Sequence, residues 1–109
     1  MIIKIKMSCS FSDSIKKLKE NKISSLYIYC DNLNPEDLKH SIEAFRTNTS
    51  LRSLNIDHLS YNPKDFEKGK YISEILKCSK TLQILNIHYN NLDQEDVKHI
   101  SEALKICPW

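Results

Sequence analysis

The sequence predicts an α/β solenoid, in which strand–helix units stack so that parallel strands line a concave inner face and helices a convex outer one. Three observations predict it. The stretch "EDLKHSIEAF" at residues 36–45 is written again as "EDVKHISEAL" at residues 95–104, 59 positions later. Within each copy the apolar residues first alternate, as in a strand with one buried face, and then recur at three- and four-residue spacings, as on one side of a helix. With one Gly and three Pro in 109 residues, the chain also lacks the turn residues that an all-β fold built of hairpins requires.

The elements follow in order, within a single domain spanning 1–109. Residues 1–22 match the repeat loosely. Ile3 and Ile5 predict a strand near 2–6, and Phe11, Ile15 and Leu18 a helix near 12–20, which together make a shortened N-terminal cap repeat. The opening "MIIKIKM" is interrupted by Lys4 and Lys6 and no small-residue cleavage site follows, so it is read as strand and not as an export signal. Residues 23–50 form the next unit: Leu26 and Ile28 mark a strand near 26–29, Asn34 with Pro35 and Glu36 marks a helix start, and Leu38, Ile42 and Phe45 give a helix over 35–46 one apolar stripe. Residues 51–81 repeat the pattern with Leu51, Leu54 and Ile56, a strand near 54–57 and a helix near 66–78, but carry extra residues within "SYNPKDFEKGK". Residues 82–109 close the series with Leu82, Leu85 and Ile87, a strand near 85–88, a cap at Asp93, and a helix over 94–106 whose stripe is Val97, Ile100 and Leu104. The motif leucines lie 28 residues apart from Leu26 to Leu54 and 31 from Leu54 to Leu85. No unit can bury its apolar side alone, and stacking supplies the missing cover.

The stretch "LQILNIHYNNL" at residues 82–92 resembles the leucine-rich-repeat consensus L-x-x-L-x-L-x-x-N-x-L, with Ile87 in place of the third leucine. The unit length and the full helix ending in "ISEALK" make the chain similar to the ribonuclease-inhibitor-like subfamily, over residues 23–106. The family's turn asparagine matches Asn90, whereas Asp31 and Leu59 stand at that position in the two preceding units. The resemblance implies a short horseshoe that docks a protein on its concave sheet.

Composition narrows the function in the same direction. The net charge of +2 comes from interleaved acidic and basic residues, so neither nucleic acid nor a membrane is the expected partner, and no segment has the length to span a bilayer. Cys9, Cys30, Cys78 and Cys107 show no C-x-x-C spacing, which reads as four reduced thiols in a cytoplasmic protein without a metal or other cofactor. No nucleophile, general base or phosphate loop emerges. The recurring Glu36/Asp37 and Glu95/Asp96 pairs, and His40 and His99, read as helix solvation and dipole matching and not as an active site, so no catalytic residue is assigned and no enzyme is expected.

If the motif leucines and isoleucines point inward, strand alternation turns their neighbours to the concave solvent face. Three columns result: Ile2, Ser25, Ser53 and Ile84; Lys4, Tyr27, Asn55 and Asn86; Lys6, Tyr29, Asp57 and His88. With Tyr89 at the rim, the candidate protein-binding residues are Tyr27, Tyr29, Asn55, Asp57, Asn86, His88 and Tyr89, the tyrosines being of the type enriched in interface hot spots. The alternative reading is structural: a unit that self-associates through its solenoid ends, with a homodimer through the C-terminal edge, or a fragment of a larger repeat protein. At that edge Ile106, Pro108 and Trp109 are placed to fold back over the last strand.

Overall fold

A computed structural model describes residues 11–30, 33–57, 59, 66–88 and 91–106. Helices and strands alternate: α1 (Phe11–Glu20), β1 (Ser25–Tyr29), α2 (Pro35–Thr47), β2 (Ser53–Asp57), α3 (Lys68–Cys78), β3 (Ile84–His88) and α4 (Gln94–Ile106). The three strands form one parallel sheet in the order β1-β2-β3. Its register sets Leu26 beside Leu54 and Leu85, and Ile28 beside Ile56 and Ile87. The expected strand at residues 2–6 lies outside the described residues.

The helix starts are built twice from one device. Asn34 Oδ1 accepts the Asp37 N–H at 2.8 Å while Asp37 Oδ2 accepts the Asn34 N–H at 3.3 Å. In α4, 59 positions on, Asp93 Oδ1 accepts the Asp96 N–H at 2.8 Å and Asp96 Oδ2 accepts the Asp93 N–H at 3.0 Å. These are reciprocal capping boxes that satisfy two otherwise orphaned donors each. One carboxylate of each recurring acidic pair, Asp37 or Asp96, is therefore the third-position partner of a capping box. The α1 helix ends at Asn21, whose φ of 58° lies in the left-handed region that asparagine tolerates.

A polar ladder ties the helix-to-strand turns together. Ser50 Oγ donates to the Ile23 carbonyl at 2.6 Å, and Thr81 Oγ1, its counterpart one unit later, donates to the Leu51 carbonyl at 2.6 Å. The buried Asn48 side chain accepts the N–H groups of Ser50 and Leu51 and donates to the Leu18 carbonyl at 3.0 Å, closing the turn against the end of α1. A turn placed against the core must find partners for its backbone, and these side chains provide them.

The core is one cluster running through the units, with Leu18, Ile28, Phe45, Leu54, Ile56, Leu59, Ile72, Ile75 and Leu76 fully buried. Leu59, at the position where the resemblance calls for asparagine, packs into it as an apolar residue. Leu54 is buried as expected, but Leu85 and Ile87 are half-buried. The expected stripe of α4 also needs correction: Val97 and Leu104 are exposed, Ile100 is half-buried, and the fully buried side chain is Ala103. The reason is positional, since β3 and α4 have a strand and a helix beside them on one side only among the described residues.

The helices α3 and α4 approach each other closely at Gly69. A Cβ there would collide with the Cα and carbonyl of Asp96, so only glycine admits this contact. The same Asp96 carboxylate accepts the Gly69 N–H at 2.8 Å, satisfying one of the free donors in the first turn of α3. Lys68 stands 4.0 Å from it and donates to the Asn91 carbonyl at 2.8 Å.

Candidate functional site: the solvent face of the sheet

The strand register sets the described members of the three expected columns side by side: Ser25, Ser53 and Ile84; Tyr27, Asn55 and Asn86; Tyr29, Asp57 and His88, while Ile2, Lys4 and Lys6 lie outside the described residues. Along β1, Leu26 and Ile28 are buried while Ser25 and Tyr27 are exposed, which turns the tyrosine column to solvent. Asn55 is half-buried and Asn86 exposed. Tyr89 and the side chain of His88 lie outside the described residues.

Tyr27, midway along β1, is 43% exposed despite its size. Its ring packs on that of Tyr29 with centroids 4.8 Å apart and planes tilted by 45°. Its hydroxyl donates to Asp57 Oδ2, on the neighbouring strand, at 2.5 Å. That hydrogen bond, followed by desolvation and the carboxylate charge, pushes the phenol up to about 12, so Tyr27 stays neutral and donating at physiological pH. Asp57 shares a column with Tyr29 and His88, yet only 4% of it is exposed. It serves as the anchor of the tyrosine more than as a contact surface of its own. Strand alternation alone assigns Asp57 to solvent, because it counts faces and does not see which neighbour leans over which.

Beneath the end of β1, Cys30 is fully buried. Burial, and then the charge of Asp57, push its thiol up to about 12, which holds it protonated and poorly suited to metal binding or nucleophilic attack. Cys78, half-buried, is raised mainly by burial as well. Neither forms a disulfide; Cys9 and Cys107 lie outside the described residues. Among the described residues no group of three or more His, Cys, Asp or Glu side chains is arranged to hold a metal ion. His40 pairs with Glu36 at 3.6 Å on the exposed side of α2, in keeping with a solvated helix face.

A second concavity escaped the sequence reading. Between α2 and α3 a groove of about 810 Å³ has an apolar floor of Leu38, Ile42, Phe66 and Tyr71. The rings of Phe66 and Tyr71 pack with centroids 6.0 Å apart and planes tilted by 58°, and the Tyr71 hydroxyl lies 2.9 Å from that of Ser41. The rim is charge-balanced and partly self-paired, through Arg46 with Glu43 and Lys70 with Glu67, so it selects no class of ligand. The signal for the groove in the sequence is faint: the apolar Leu38 and Ile42 align with Val97 and Ser101, and nothing in the spelling says how far apart α2 and α3 sit.

No protein-family model matches the chain, and no curated protein matches it. No helix among the described residues is long and apolar enough to cross a membrane.

Proposed function

We propose that the chain is a non-enzymatic protein-interaction module of the leucine-rich-repeat kind, a short right-handed horseshoe that binds a protein partner on its concave sheet. The consecutive parallel order of the strands and the in-register motif leucines support the repeat reading. The observation that carries the binding role is the Tyr27–Tyr29 pair, a large aromatic surface left open on the sheet and held in place from behind by Asp57. Aromatic anchors that are ordered before binding lose little entropy on docking, and their hydroxyls and rings serve polar and apolar contacts together. Asn55 and Asn86 continue the face with hydrogen-bonding groups across β2 and β3.

The partner of this face is protein, and neither nucleic acid nor membrane. A cytoplasmic location fits the reduced thiols of Cys30 and Cys78. No cofactor enters the reading. Affinity capture from cytosol, comparing the parent chain with Tyr27→Ala/Tyr29→Ala, tests it: the parent retains a defined protein and the double variant loses it, by at least about 30-fold if the pair is a hot spot worth about 2 kcal/mol. Equal capture by both removes the assignment.

A further inference from the structure

The apolar surface that the described residues leave open is concentrated at one end. Besides Tyr27, the large exposed apolar side chains are Ile84, Val97, Leu104 and Ile106, all on β3 and α4. Ile106, placed by sequence to fold back over the last strand, is instead 68% exposed. The internal repeat states what covers such a surface elsewhere in the molecule. Leu104 is the counterpart of Phe45 in α2 and Leu76 in α3, and both of those are buried where another strand–helix unit follows. Val97 and Leu104 are thus bare, and Leu85 and Ile87 half-bare, where their counterparts in the preceding unit, Gly69, Leu76, Leu54 and Ile56, are buried.

We propose that a second copy of this chain supplies that cover, through a two-fold contact of β3 with β3 and α4 with α4. The strand is self-complementary: antiparallel pairing about Asn86 sets Leu85 of one copy opposite Ile87 of the other on the core side, and both are half-buried and ready to receive it. The same pairing satisfies the backbone donors and acceptors along the outer edge of β3, a row that stable proteins seldom leave bare. On the helix layer, the two-fold axis runs the α4 helices antiparallel. The acidic first turn with Glu95 then lies alongside the mate's last turn with Lys105, and the helix dipoles oppose favourably. Val97 of one copy then meets Leu104 of the other between the two helices. An interface of about 800 Å² per partner, typical of stable association, draws on the strand edge and the helix together and not on α4 alone. The contact is isologous and closes with two copies. It leaves Tyr27 and Tyr29 free, so it stands apart from the proposed partner-binding role.

Sedimentation of the full chain over a concentration series tests the proposal. The weight-average mass rises to twice that of one chain and stops there, whereas Val97→Glu/Leu104→Glu, at two half-exposed positions where the fold tolerates charge, stays at the mass of one chain with an unchanged circular dichroism spectrum. Tyr27→Ala/Tyr29→Ala retains the doubled mass. Asn86→Cys, next to the two-fold axis, becomes disulfide-linked to its mate under mild oxidation, beyond any linkage the parent shows. A single-chain mass at every concentration, a mass that climbs without limit as in head-to-tail stacking, a double glutamate variant that still doubles, or an Asn86→Cys chain that cross-links no more than the parent each overturns it.

Discussion

Leu76 and Leu104 occupy the same place in two successive units, in "ISEILK" and "ISEALK", yet one is 1% exposed and the other 51%. The same contrast holds between Leu54 and Leu85 on the strands, the first fully buried and the second half-buried. Burial in this molecule is thus conferred by the neighbouring unit and not by the unit's own spelling. Gly69 and Val97 make the converse point. They too are counterparts, and the glycine stands where α4 closes down on α3, while the valine stands where no such helix presses among the described residues.

The contrast is sharpest in core truncations. Leu76→Ala removes a fully buried side chain between packed helices and costs about 2 to 5 kcal/mol by denaturant unfolding. That is a large share of the roughly 5 to 15 kcal/mol that holds a domain of this size. A loss under about 1 kcal/mol breaks the comparison, because it means that the two leucines are energetically alike.

Gly69→Ala comes next, with an expected cost of about 1 to 3 kcal/mol from overpacking, since the new methyl meets backbone atoms of Asp96 that have no rotamer to yield. Alanine is the better helix former by about 1 kcal/mol, so a stabilised variant in thermal unfolding refutes the close approach.

Asp96 sharpens the comparison through pH. Burial pushes its carboxyl up, but the N–H groups of Asp93 and Gly69 together with Lys68 more than offset that and hold its pKa below the usual range. A carboxylate depressed in the folded state contributes stability that is complete above its unfolded value of about 3.9 and is lost as pH falls through the folded value. The parent loses stability on acidification below about pH 4, and Asp96→Asn, costing about 1 kcal/mol at neutral pH through the weakened cap, shows a smaller loss over that range. Superimposable acid profiles of the two chains contradict the assignment.

The smallest effect is the most telling. Leu104→Ala, measured at a concentration where sedimentation gives the mass of one chain, changes stability by less than about 0.5 kcal/mol, as befits a surface position. A cost near that of Leu76→Ala places cover over α4 within the single chain.

What the sequence determined by itself was the local content of each unit. Leu26, Leu54 and Leu85 fell in register, Asn34 and Asp93 capped their helices, and the solvent column of Tyr27, Asn55 and Asn86 followed from alternation, because strand period, helix period and capping depend on residues a few positions apart. The tertiary structure alone decided everything that depends on how one unit sits on the next. It turned Asp57 from a surface residue into the buried anchor of Tyr27, gave Gly69 its purpose against Asp96, enlisted Asn48, Ser50 and Thr81 to lace the turns, and left Leu104 exposed where Leu76 is buried. Those outcomes rest on contacts between residues 27 to 30 positions apart, and a hydrophobic pattern read along one unit carries no record of whether another unit lies beside it.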